Sequence, residues 1–121
     1  MSKSAVTYKR LNEKYLRDAE ELLKKGDYSQ ASEKLWGAAA EMVKAAAKKR
    51  ENKELGGHRL VFDYVLGLDK EFPDLNLKRL FMTARLLRTN FYEDELPREY
   101  VRAIGYTDVK EFVSKMRKLL E

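Results

Sequence analysis

The segment from Gly26 to Ala47, GDYSQASEKLWGAAAEMVKAAA, constrains the fold more than any other part of the chain. It opens on a turn glycine and a helix-capping aspartate. It then runs into a helix whose packing face is almost wholly alanine with one tryptophan. Small side chains let two helix backbones approach closely, so this helix is expected at the centre of a bundle. Asp27 stands as N-cap with Gln30 three residues on, in a capping-box arrangement. The link at Gly26 is so short that the preceding helix must fold back on this one as an antiparallel hairpin.

The apolar positions of the first helix, Tyr8, Leu11, Tyr15, Ala19, Leu22 and Leu23, recur at spacings of three and four. In the second helix Ala31, Leu35, Ala38, Ala39, Met42, Val43 and Ala46 form the buried stripe, and Lys48, Lys49 and Arg50 complement its C-terminal dipole. Residues 51–57, ending in Gly56 and Gly57, read as a connection. A third helix carries Leu60, Val61, Tyr64, Val65 and Leu68 and is expected to stop before Pro73. Asp74 is placed to cap a fourth helix with Leu77, Leu80, Phe81, Ala84, Leu87 and Phe91 on its apolar side. Glu93, Asp94, Glu95 and Pro97 break that pattern. A short helix from about Pro97 to Ile104 is expected to end at Gly105, with a last helix starting at Thr107 and Asp108. Its inward residues are Val109, Phe112, Val113, Met116, Leu119 and Leu120. Ile104, Phe112 and Met116 fit either the bundle end or a subunit interface. No window alternates with period two over strand length, so the chain reads as all-α.

A chain of 121 residues buries roughly two-thirds of its unfolded surface without metals or disulfides. Lys and Arg number 25 against 20 Asp and Glu, a formal charge of +5 too mixed to identify a partner. With no cysteine there is no disulfide framework and no thiolate metal site. Sparse glutamine and asparagine match a thermophile's avoidance of labile residues. The stretch from Met1 to Arg10 lacks a signal-peptide core, and no apolar run approaches the roughly 20 residues that span a bilayer. The expected location is the cytoplasm, with no membrane partner.

Gly26-Asp27-Tyr28 with Ala31, followed by Ala39-Ala40-Glu41-Met42-Val43-Lys44-Ala45, resembles the helical hairpin of HEPN domains. His58 and the hydrophobic residues after it resemble the start of that superfamily's third helix. Within it, Ser32 to Glu41 and Asn90 to Glu93 are similar to segments of the archaeal PaREP-type proteins. The resemblance, which covers most of residues 12–95, implies an antiparallel up-and-down four-helix bundle with one or two appended C-terminal helices, often paired as a homodimer, and the length makes residues 1–121 one domain. It also implies ribonucleases of toxin-antitoxin type, or partners of a nucleotidyltransferase, as functional relatives. The nuclease branch places a histidine a few residues after an arginine near the final bundle helix. Arg85 and Arg88 supply the cation here, but Tyr92, Glu93 and Asp94 occupy the places where that histidine would fall.

His58 is the only histidine and, at the mouth of a glycine-rich loop, reads as a cap of the third helix or a solvated side chain. It has no cluster of carboxylates at metal-ligand spacing around it. Gly56-Gly57 lacks the context and lysine of a phosphate loop. Trp36 and Tyr28 read as core. Lys78, Arg85 and Arg88 recur at spacings of seven and three on one side of the fourth helix, a row suited to phosphates. Asn90, Tyr92 and Glu93 follow at its end, where Asn90 and Tyr92 suit a base or ribose. These six residues form the candidate surface for RNA, a nucleotide or a protein partner. No catalytic, cofactor or metal site is assigned, and the expected role is a non-catalytic binding module. The alternative is a divergent metal-independent ribonuclease in which Arg88 stabilises phosphate and Glu93 or Tyr92 replaces the histidine.

Overall fold

The computed structural model describes residues 4–121, so residues 1–3, the start of the stretch read for a leader, lie outside the described residues. Five α-helices form: α1 (Ala5–Lys25), α2 (Tyr28–Glu51), α3 (His58–Glu71), α4 (Leu77–Glu93) and α5 (Tyr106–Leu119). A 3-10 turn spans Pro73–Leu75 and a π-helical segment spans Tyr100–Gly105. Among the described residues there is no strand, and the architecture is an all-α bundle.

The hairpin expected at Gly26 forms through local chemistry. Gly26 adopts φ 81°, a left-handed conformation that strains any side-chain-bearing residue. The N–H groups of Gly26 and Asp27 close onto the Leu23 and Leu22 carbonyls. The Asp27 carboxylate accepts the Gln30 N–H at 3.1 Å and starts α2. This helix packs against α1, α3, α4 and α5. Ala38, Ala39, Ala40, Ala45, Ala46 and Ala47 are all buried, so neighbours cover α2 on nearly every side. Methyl side chains are what allow several helices to approach one axis. At Gly37 even a methyl is excessive, since a Cβ there would stand 3.0 Å from the Tyr15 ring of α1.

The core between α2, α4 and α5 is aromatic. Phe81 is fully buried, with its ring centroid 5.4 Å from Phe112 and 5.6 Å from Trp36. Phe112 and Met116 lie wholly inside, whereas Ile104 is exposed. Polar anchors tie the helices together. Buried Asn12 donates to the Ala38 carbonyl at 2.6 Å and accepts from Arg117 at 3.0 Å, joining α1, α2 and α5. Thr83 donates to Asp108 at 2.6 Å across α4 and α5. The loop before α3 is pinned through Glu54, which accepts from Tyr8 at 2.5 Å and pairs with Lys48 at 3.3 Å. Burial and that carboxylate together push the Tyr8 hydroxyl up to about 12.

Several local expectations are corrected. Leu60 is exposed, because only one side of the short α3 meets the bundle. Phe91 is half-buried, its ring edge-on to Tyr92 at 4.9 Å. Asp74 lies in the 3-10 turn, and α4 starts instead after Asn76 in a left-handed conformation. Gly105 ends nothing: with φ −57° and ψ −53° it is helical, and the π-helical segment runs straight into α5 at Tyr106, ahead of Thr107. Its missing side chain serves packing, since a Cβ there would meet Leu87 at 2.9 Å. No helix of the described residues is long and apolar enough to cross a membrane.

Candidate functional site

Arg85 and Arg88 project from α4 one turn apart. Each is backed by an aromatic ring: Arg85 stands 4.4 Å above the centroid of Phe62, and Arg88 stands 5.9 Å from that of Tyr92. A ring at this distance attracts the cation without using its N–H donors in a hydrogen bond. Other arginines are committed to carboxylates, as in Arg50 with Glu71 at 2.7 Å, Arg102 with Glu99 at 2.7 Å and Arg79 with Asp108 at 3.6 Å. Among the described residues no ion pair engages Arg85 or Arg88.

The loop after α2 brings His58 against Trp36, with ring centroids 5.4 Å apart. These two residues border a cleft of 260 Å³ whose far wall is Met82, Arg85, Leu86, Arg88 and Thr89. A smaller hollow of 140 Å³ continues from Trp36, His58 and Arg88 to Glu33, Phe91 and Tyr92. His58 is held below its ordinary pKa, first by desolvation against its neighbours and then by the positive charges of Arg88, Lys44 and Arg85. Desolvation is the larger cause, and the nearby cations add to it by opposing a further positive charge on the ring.

On the other side of Trp36 and His58 lies a third cleft of 240 Å³, bordered by Tyr15, Gly37, Glu41, Lys44 and Gly57 among others. Glu41 is 7% exposed. One of its oxygens stands 3.6 Å from Lys44, beyond hydrogen-bond range, and the other is buried with no hydrogen-bond partner. Among the described residues no group of three or more His, Cys, Asp or Glu side chains is placed to hold a metal ion.

The six residues selected from the sequence therefore separate. Arg85 and Arg88 converge on one cleft, and Tyr92, 70% exposed, stands at its edge. Lys78 sits at the first turn of α4, roughly 10 Å of helix rise from Arg85, where its N–H donates to Asp69. Asn90 is buried: it donates to Ser32 at 3.0 Å and accepts the Leu96 N–H at 2.7 Å, so it belongs to the interior. Glu93 is exposed at the end of α4. His58 does not cap α3, which has no side-chain cap; it is an exposed side chain, the other alternative read from the sequence, and it borders the arginine cleft. The places after Arg88 where the motif histidine would fall hold none, yet His58, 27 to 30 residues earlier in the chain, lines the same cleft as Arg85 and Arg88. Trp36 is both core and cleft wall, at 9% exposure. Glu41 was open to detection as the one acid in the alanine run of α2.

No curated protein matches this chain. Among solved structures it is similar to the crystal structure of a protein from Sulfolobus solfataricus, with 27% identity, a TM-score of 0.77, and coverage of 100% of this chain and 99% of that one. The family model described as the archaeal PaREP1/PaREP8 family matches residues 7–113. The match spans most of the fold, from the first turn of α1 into α5, and this chain belongs to the archaeal PaREP1/PaREP8 family.

Proposed function

We propose that this protein is a cytoplasmic, HEPN-like, non-catalytic binding module that takes a phosphate of RNA or of a nucleotide between Arg85 and Arg88. The observation that carries the reading is a pair of guanidinium groups backed by rings, engaged by no ion pair, in one cleft with Trp36 and His58. Phosphate is the ligand such forks match, since each offers two parallel N–H donors. Tyr92, exposed beside Arg88, supplies a stacking surface for a neighbouring base. The partner functions implied by the HEPN resemblance, a homodimer and a nucleotidyltransferase or toxin-antitoxin partner, use the same face in this reading. Met82 and Leu86, apolar and exposed on α4, flank the arginines there.

Fluorescence anisotropy with a short single-stranded RNA tests the proposal. The Arg85→Ala/Arg88→Ala double variant is expected to weaken binding about 100-fold while its melting temperature stays within about 2 °C of the parent. Unchanged affinity removes the proposal. Light scattering of the parent tests the dimer: a monomer at micromolar concentration removes that part.

A second reading is favoured by one observation, the placement of His58 in one cleft with Arg88, where its pKa is held below the ordinary value. In a ribonuclease, that imidazole rather than Glu93 or Tyr92 would accept the proton of the ribose 2′-hydroxyl, with Arg88 stabilising the developing phosphorane charge. RNA cleavage by the parent that is lost in His58→Ala would replace the binding-module reading, and its absence retains it.

A further inference from the structure

The Glu41 carboxylate is the molecule's most conspicuous unanswered polar group. It is nine-tenths buried in α2, its nearest cation is too distant for a hydrogen bond, and one oxygen has no partner. A carboxylate is acceptor-only, so whatever completes it must bring donors. The charged lining of the cleft is balanced, Lys34 and Lys44 against Glu33 and Glu41, with Arg88 just beyond His58, so nothing there calls for a cationic ligand over a neutral one. Neutral N–H groups are fitting donors.

The position of the cleft narrows the choice. It adjoins the smaller hollow at Glu33, Trp36 and His58, and that hollow adjoins the arginine cleft at Trp36, His58 and Arg88, so the path between the two clefts runs over Trp36 and His58. A cavity of 240 Å³ has room for a purine ring. Tyr15 and Trp36 give it aromatic walls, and Gly37 lets the Tyr15 ring lie close against α2. Among the nucleobases, guanine alone presents two adjacent N–H donors, N1–H and N2–H, on its Watson–Crick edge. Adenine and cytosine present a donor beside an acceptor, and uracil a donor between two acceptors. An acceptor facing Glu41 would be repelled.

We infer that the Glu41 cleft receives the Watson–Crick edge of a guanine whose phosphate lies on Arg85 and Arg88, as a free guanine nucleotide or as one residue of an RNA. The inference rests on the phosphate reading above and adds base selectivity to it. In the inferred complex the Glu41 side chain turns its unpartnered oxygen, buried in the free chain, toward the cleft so that both oxygens meet the two donors, with Lys44 alongside.

Isothermal titration of the full chain with guanosine, inosine and adenosine 5′-monophosphates and with inorganic phosphate tests it without any variant. Guanosine monophosphate is expected to bind at least about tenfold more tightly than the adenosine compound, the discrimination of one good bidentate pair. Inosine monophosphate, lacking the N2 amino group, falls between them. Glu41→Gln, whose amide pairs a donor with an acceptor, is expected to bring the guanosine-to-adenosine preference down to about one while inorganic phosphate binds as before. An oligouridylate with a single guanosine, against all-uridine, distinguishes the sources: selectivity only in the oligomer assigns the site to RNA, and selectivity in the mononucleotides assigns it to a free nucleotide. Phosphate binding with equal affinity for all the nucleotides and both oligomers overturns the guanine inference and leaves the phosphate site standing. Guanosine preference retained in Glu41→Gln overturns it as well. No binding of any probe overturns both readings.

Discussion

Two polar groups on the seam between α2 and α4 behave in opposite ways. At one end Asn90, Ser32 and the Leu96 N–H form a closed chain, with Ser32 passing its own proton to the Tyr28 carbonyl at 2.8 Å. Every donor there meets an acceptor, and the loop after α4 is fastened to α2. Around Trp36 and His58, Arg85, Arg88 and Glu41 lack hydrogen-bonded counter-charges, although each side chain is held in place by a ring or by burial. Satisfied polar groups specify a structure, while oriented groups without a partner in the chain contribute little to it. Residue type alone does not separate the two, since Asn90 and Arg88 are near neighbours on the same helix.

Phe81 lies beneath both regions, so Phe81→Ala is the harshest way to break the comparison. Loss of a fully buried ring is expected to cost about 3–5 kcal/mol in urea unfolding. RNA affinity should fall with it, because Trp36 and Phe62 both pack on that ring, at 5.6 and 6.2 Å. Asn90→Ala comes next. It leaves the Leu96 N–H unpaired and removes the donor to Ser32, and is expected to cost about 2–3 kcal/mol while RNA affinity is retained. The arginine double variant is expected to show the reverse, and any large crossover between the two would erase the distinction.

The smallest effect sharpens it through pH. His58 titrates below its ordinary value in the folded chain, so the unfolded chain binds the proton more readily. Its contribution to stability is present above the ordinary histidine pKa and is lost as pH falls through that value toward the folded one. The parent is expected to show a slight decline in melting temperature on acidification across this window, weaker in His58→Gln, measured by circular dichroism. A phosphate bound on Arg88 neutralises the charge that opposes protonation, so saturating RNA should flatten the decline. A parent with no pH response that RNA could alter would detach His58 from the arginine cleft.

The helices were legible because their signals are local. Gly26 and Asp27 end one helix and cap the next through bonds within a few residues, and the alanine run of α2 announces a helix covered by neighbours. Gly105 was misread for the same reason: glycine is a local stop signal, yet here it makes room for Leu87, a contact no window reveals. The site was half legible. Arg85 and Arg88 share one helix, and periodicity puts them together. His58 and Glu41 come from elements whose relative placement depends on tertiary packing.

The amino-acid sequence by itself determined the all-α class, the hairpin of α1 and α2 and the central place of the alanine helix, since caps, turns and hydrophobic period act over a turn or two of chain. Only the tertiary structure decided which polar groups were closed and which were left open. Whether Asn90 or Arg88 finds a partner depends on residues tens of positions away, and the packing of whole helices brings those into reach.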